Sequence, residues 1–251
     1  RRPDMRPLHR EFVATARRVP RRRAMADGLV PRVTYFNALV RTLVLGRVLR
    51  RRWEGDEMVG ILLPPSVAGA CVNVAAMLAG KVPVNLNYTL SPEGVESCIR
   101  QCGIRTVVTS SAFLEKARLA TPPGAVMLED LIPEASGPVR VFAVFAAALY
   151  PVFLLERAMG RRQRAGLDDI ATVIFSSGST GDPKGVMLSH YNVLSNVQGI
   201  AQVMTVSRED RLMGVLPFFH SFGFTGTLWF PLTRGIGVVF HPNPLDSDRK
   251  S

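Results

Sequence analysis

One stretch, Met58 to Leu86, restricts the fold more than any other. A short apolar run, Met58-Val59-Gly60-Ile61-Leu62-Leu63, is stopped by Pro64-Pro65. Ser66 follows, with a hydroxyl suited to capping a helix. Val67 to Ala79 is apolar nearly all round, Gly80 suits the left-handed position after a helix, and Val82 to Leu86 is a second strand-like run. A strand, a helix and a strand within ~30 residues need a crossover, which makes the two strands parallel and lays the helix on the sheet. A helix that is apolar on every side must also be covered by further layers. The predicted class is therefore α/β, with mixed, largely parallel sheets flanked by helices.

The pattern continues downstream. Ser91-Pro92 offers a cap and a first-turn proline, Val95, Cys98, Ile99 and Cys102 form an inner stripe, Gly103 ends the helix, and Ile104 to Thr109 is a strand. On that stripe Cys98 and Cys102 read as core residues. Upstream, residues 1–30 read as a helix followed by a basic turn, and residues 33–49 as an amphipathic helix. Residues 120–140 are rich in Pro and Gly and read as loop. Beyond Asp168 the expected elements are strands at Ile170–Phe175, Val186–Leu188, Leu212–Leu216 and Ile236–Phe240. Helices are expected at Tyr191–Met204 and about Gly223–Leu232.

Charge and cysteine content narrow the partners. The formal net charge is +11, concentrated in Arg17-Arg18, Arg21-Arg22-Arg23, Arg50-Arg51-Arg52 and Arg161-Arg162 with Arg164. Such clusters attract phosphate-rich surfaces or serve simply as a solvated face. Nucleic acid is disfavoured, because no helix-turn-helix, zinc finger or aromatic RNA-binding motif lies near them. Three cysteines without CxxC spacing make neither a disulfide framework nor a zinc site, so a reducing, cytoplasmic setting is expected. Val141 to Leu155 carries no charge and is interrupted by Pro151; a basic flank runs to Arg164. It is too short to span a bilayer, which needs ~20 apolar residues. Two readings of 141–164 stay open: a helix lying on an anionic membrane surface, or a buried helix with a polar exit.

The chemistry concentrates in Ser176-Ser177-Gly178-Ser179-Thr180-Gly181-Asp182-Pro183-Lys184-Gly185. Glycines allow positive φ and close backbone approach, successive N–H groups form an anion nest, hydroxyls add donors, and Lys184 adds a mobile positive charge. Together they suit a polyphosphate. The spacing excludes a Walker A loop, since Lys184 stands between Pro183 and Gly185 and no helix follows directly.

This segment, with Val186-Met187-Leu188-Ser189-His190 after it, resembles the phosphate loop of the adenylate-forming superfamily: acyl-CoA synthetases, luciferases and peptide-synthetase adenylation domains. About 40 residues on, Leu216-Pro217-Phe218-Phe219-His220-Ser221-Phe222-Gly223 resembles the family's aromatic-His motif. Ile61-Leu62-Leu63-Pro64 resembles a further segment, and the likeness runs over roughly residues 8–245. Within the superfamily, Asp210-Arg211-Leu212-Met213 and His241-Pro242-Asn243-Pro244-Leu245 look most similar to the adenylating domain of bacterial acyl-[acyl-carrier-protein] synthetase/2-acylglycerophosphoethanolamine acyltransferases.

The resemblance implies ATP with Mg2+, a fatty acid, and a phosphopantetheine thiol on acyl carrier protein or coenzyme A, in phospholipid acyl recycling. It implies that Ser176, Ser177, Gly178, Ser179, Thr180, Gly181, Lys184 and Gly185 hold phosphates. It also implies that Lys184 and His220 serve catalysis, and that Phe219, His220 and Phe222 border the acyl pocket. No metal ligand is assigned within these residues. Residues 1–251 are then a partial N-terminal adenylation domain, 1–165 a first α/β subdomain and 166–251 the start of the phosphate-loop subdomain. Arg1 in place of Met and the polar run 246–251 fit a piece of a longer protein. The family's metal-binding Glu segment and small C-terminal domain are expected to lie outside it, and the piece alone is expected not to adenylate. The expected location is the cytoplasm, peripheral on or tethered to a bacterial inner membrane. Two alternatives remain: a long-chain fatty acid–CoA ligase, and a non-catalytic membrane-surface module.

Overall fold

The computed structural model describes residues 5–176, 182–207 and 209–241. The chain opens with helix α1 (Leu8–Arg18), then strands β1 (Arg23–Ala26) and β2 (Val33–Thr34), then helix α2 (Tyr35–Leu49). β1 lies where a basic turn was expected. Its buried residues, Ala24, Met25 and Ala26, carry no strand signature and follow three arginines.

The strand–helix–strand unit forms as predicted. β3 (Met58–Ile61), α3 (Val67–Leu78) and β4 (Val82–Asn85) make a parallel crossover. Ser66 Oγ accepts from the Gly69 N–H at 3.0 Å, and Asp27 Oδ2 accepts from the Val67 N–H at 2.8 Å. A hydroxyl and a carboxylate thus share the exposed donors of the first turn of α3. Eleven of its twelve residues are buried. The one strongly polar member, Asn73, forms a reciprocal amide pair with Asn85 of β4, at 3.0 and 2.9 Å.

Helix α4 (Pro92–Gln101) is capped by Ser91, and Cys98 is buried while Cys102 is half-buried. All three cysteines are free thiols. β5 (Val107–Thr109), α5 (Ser111–Ala117), β6 (Ala125–Met127) and α6 (Leu128–Leu131) follow. The 120–140 segment is therefore not plain loop: β6 completes an all-parallel sheet of order β4-β3-β5-β6. Three residues between a Pro-Pro-Gly turn and a helix are too few to show alternation in sequence.

Residues 137–159 form two helices, α7 (Gly137–Leu149) and α8 (Val152–Met159), broken at Pro151. A hairpin of β7 (Ile170–Ser176) and β8 (Lys184–Ser189) comes next, then α9 (His190–Val203) with a capping box between Ser189 and Asn192. The Thr172 hydroxyl of β7 donates to the Pro83 carbonyl of β4 at 2.8 Å, which seats the hairpin beside the parallel sheet. β9 (Arg211–Gly214), a π-helical segment Gly223–Trp229, α10 (Phe230–Arg234) and β10 (Gly237–Phe240) complete the described chain.

A second sheet has the order β2-β1-β10-β9, with β1–β10 and β10–β9 parallel. β1, near the start of the chain, pairs with β10, after residue 210, and β2 joins the sheet through β1. The largest apolar core joins α1, α2, α3, α7, α8 and α9 with residues of β1, β3 and β10 around Trp53, Trp229 and Tyr35. The Tyr35 hydroxyl lies 2.7 and 2.9 Å from the carbonyl oxygens of Pro231 and Ile236.

Candidate active site

The candidate phosphate loop joins the two strands of the β7–β8 hairpin. Of the predicted loop residues, Ser177, Gly178, Ser179, Thr180 and Gly181 lie outside the described residues; Ser176, Lys184 and Gly185 lie within them. Ser176 and Lys184 are directly cross-strand partners at the loop end of the hairpin, and both are exposed. The Ser176 hydroxyl lies 3.4 Å from the Lys184 carbonyl. Register thus delivers one hydroxyl and one ammonium to the same edge of the loop.

Gly185 sits within β8 and is not among the glycines with positive φ. Its smallness serves space. A Cβ there would lie 2.9 Å from Val173 Cγ1 and 3.1 Å from the Phe175 ring across the ladder.

The downstream foot of the loop is tied to α4. Ser97 Oγ, buried, donates to Asp182 Oδ1 at 3.0 Å, and Gln101 Nε2 donates to the Pro183 carbonyl at 2.9 Å. Gln101 Nε2 also donates to Ser97 Oγ at 3.2 Å. Ser97 and Gln101 are four apart and so share a helical face. No local pattern marks them, because their partners lie more than eighty residues away.

The second motif splits at its double Phe. Phe218 turns into the core, edge-on to Phe240 with ring centroids 5.4 Å apart. Phe219 is buried against Tyr88 at 4.9 Å, and Tyr88 meets Phe113 at 5.3 Å. The exposed His220 ring lies 4.6 Å from Phe219. Tyr88 and Phe113 also pack on the cluster that contains Phe175, next to Ser176. Tyr88 therefore links the hairpin's base to the Phe219–His220 pair. Burial pushes the Tyr88 phenol up to about 12, so it stays a neutral donor at physiological pH. Sequence reading missed Tyr88 and Phe113.

Phe222 behaves differently: it is 61% exposed and lies over Gly226, outside this aromatic group. Gly223 opens the π-helical segment pressed against the Pro217 carbonyl, where a Cβ would stand 2.0 Å away. The segment closes its wider turn with the Phe230 N–H donating to the Thr225 carbonyl. A helix was expected here; the π winding was not. Such single turns recur at functional sites because they re-aim neighbouring side chains. Trp229 is fully buried beside Phe224.

A cleft of about 1300 Å3 lies elsewhere, bordered by Arg47, Arg50, Arg51, Lys81, Arg161 and Arg162 together with Glu54, Asp56 and Glu134. None of Ser176, Lys184, Phe219 or His220 lines it. Arg47 and Arg50 donate there to the Ala158 carbonyl, and Arg161 to Met77, so these cations mainly close helix ends. No cluster of three metal-ligating side chains occurs among the described residues. The described polar groups at this end of the hairpin are a hydroxyl and a cation, Ser176 and Lys184, which suit an anion.

Comparison with known proteins agrees. The sequence profile of the AMP-binding enzyme family matches residues 12–250. A long-chain-fatty-acid–CoA ligase of Mycobacterium tuberculosis, FadD13, is 32% identical over 193 residues, 75% of this chain and 35% of that protein. A 4-coumarate–CoA ligase of Pinus taeda is 25% identical over 94% of this chain and 44% of its own length. Among solved structures, the N-terminal domain of FACL13 from Mycobacterium tuberculosis superposes with a TM-score of 0.72 at 26% identity, covering 95% of this chain and 58% of that one. O-succinylbenzoate coenzyme A synthetase from Bacillus subtilis, in complex with AMP, gives 0.73 at 22% identity, over 95% and 56%, and shows the shared fold. The chain spans less than half the length of these curated relatives. With a family match from residue 12 to residue 250 and the α/β architecture of these N-terminal domains, the chain belongs to the AMP-binding, adenylate-forming enzymes.

Proposed function

We propose that these residues form the ATP-facing part of an AMP-forming acid–thiol ligase acting on a long-chain fatty acid. The observation that carries the reading is the pairing of Ser176 with Lys184 at the loop end of the hairpin, bracketing the Gly-rich segment. In the proposed reaction a carboxylate oxygen attacks the α-phosphorus of Mg·ATP, the bond to pyrophosphate breaks, and an acyl-adenylate forms. A thiolate then attacks the acyl carbon and AMP leaves. Lys184 and the loop amides orient the β- and γ-phosphates and offset charge on the departing pyrophosphate. Tyr88, Phe219 and His220 offer an apolar wall with polar tips for the carboxylate end of the acid.

Coenzyme A is the acceptor that the long-chain relative's name supports. Acyl carrier protein, in phospholipid acyl recycling, rests on the motif likeness at 210–225 and 241–245. Thioester formation with each thiol in turn separates them. The test of the core reading is ATP–pyrophosphate exchange in a polypeptide carrying these residues and the portion that its relatives add. Exchange should require a fatty acid and fall about a hundredfold in Lys184→Ala. Exchange that needs no acid, or that survives Lys184→Ala unchanged, contradicts the proposal. The 251-residue chain by itself should show no exchange.

A further inference from the structure

Helix α7 is packed the wrong way round for an ordinary core helix. Its small residues, Ala143, Ala146 and Ala147, are the ones buried. Its large residues face outward at the i, i+3, i+4, i+8 spacing of a single stripe: Val141 (56% exposed), Val144, Phe145 (59%) and Leu149 (70%). Across the Pro151 corner α8 extends the stripe with Phe153 (57%) and Leu154. Neither of the readings open from sequence covers this arrangement fully: the helix is half-buried, through its alanines with Val139 and Phe142 partly covered beside them.

The surroundings of the stripe are cationic. Between Gly137 and Arg164 the only acid is Glu156, and it is turned inward, 4% exposed, held by His9 and Arg10. The outward charges are Arg140 before the stripe and Arg157, Arg162 and Arg164 after it, all exposed. Arg17 of α1 donates to the Ala147 and Tyr150 carbonyls and closes the end of α7, bringing the basic end of α1 to the same corner. Among the described residues no helix is long and apolar enough to cross a membrane. A bulky apolar stripe with exposed arginines at both ends, Arg140 and Arg157, fits a surface that is apolar inside and anionic outside.

We propose that the α7–α8 face docks on an anionic lipid bilayer, with Phe145, Leu149 and Phe153 entering the headgroup–acyl boundary and Arg140 and Arg157 meeting lipid phosphates. The proposal does not depend on the acid-activating reading. Its test is co-sedimentation of the chain with phosphatidylcholine vesicles, with and without phosphatidylglycerol. Binding should require phosphatidylglycerol and weaken as salt is raised. The triple variant Phe145→Ser/Leu149→Ser/Phe153→Ser should lose about tenfold or more. Arg140→Gln and Arg157→Gln should each lose about fivefold. All these positions are exposed, so circular dichroism and thermal midpoint should match the parent.

Three results would overturn the proposal. One is absence of binding to phosphatidylglycerol vesicles, or binding indifferent to the triple variant. Another is a concentration-dependent dimer dispersed by that variant, which would assign the face to a second copy. The third is binding by the 251-residue chain but not by a longer polypeptide containing it, which would assign the face to packing within that polypeptide.

Discussion

Replacing Glu156 with Gln should expose how the N-terminal helix is tied to the rest of the molecule. The carboxylate accepts from His9 Nε2 at 2.8 Å and from Arg10 Nε and Nη2 at 2.7 Å each. Burial alone would raise its pKa; the hydrogen bonds from His9 and Arg10 outweigh that and pull it to about 2. Gln keeps one accepting oxygen and presents an amide N–H2 to a guanidinium that can only donate. Breaking a buried, hydrogen-bonded ion pair from one side costs about 3 kcal/mol. For a chain of this size that is a fall of about 6–12 °C in thermal midpoint.

The pH profile carries a second signature. His9 is held below its ordinary pKa by burial, despite Glu156, and His190, whose ring lies 5.5 Å from it, is held well below. Arg161 adds to both effects. Histidines kept neutral by folding contribute stability that is present above about pH 6.5 and declines as pH falls below it. Glu156, with its pKa depressed, contributes stability present above about pH 4.5 and lost as pH falls from there towards 2. Thermal midpoints of the parent should therefore drop in two stages on acidification, and Glu156→Gln should shrink the lower stage, to which Glu129 also contributes, while leaving the upper. A midpoint within about 2 °C of the parent at neutral pH, or an unchanged lower stage, would refute this account of the cluster.

Two further outcomes follow from the same kind of counting. Asn73→Leu should destabilise by about 1–3 kcal/mol despite its apolar gain, because the buried Asn85 amide loses its partner, and Asn73→Leu/Asn85→Leu should recover part of the loss in urea unfolding. Ser97→Ala with Gln101→Ala should leave the thermal midpoint within a few degrees of the parent while weakening nucleotide binding several-fold, about 1 kcal/mol. The pair positions the loop's foot and reaches no phosphate itself; an unchanged affinity by isothermal titration would remove it from the account.

Much of this architecture was readable from local pattern. The 58–86 unit formed because an all-apolar helix between two short apolar runs has few ways to be covered. Ser66, Ser91 and Ser189 each cap the helix they precede. The hairpin flanking the candidate loop was legible as extended segments on both sides. What escaped depends on contacts distant in sequence. β1 is a strand because β10 offers it a parallel edge, a partner more than two hundred residues away. Tyr88 and Phe113 join the site only through the packing of Phe219, and Ser97 and Gln101 only through Asp182 and Pro183. The outward stripe of α7 was ambiguous because its Ala face and its Phe–Leu face are both apolar; only burial tells them apart.

The central claim, that the Ser176–Gly185 segment grips a polyphosphate, is tested most directly by titrating this chain with inorganic tripolyphosphate, ATP and AMP in a calorimeter. The account predicts that tripolyphosphate and ATP bind alike, AMP at least about tenfold more weakly, and that Lys184→Gln removes most of the difference. AMP binding as well as ATP, or a Lys184→Gln chain that still prefers the triphosphates, would contradict it.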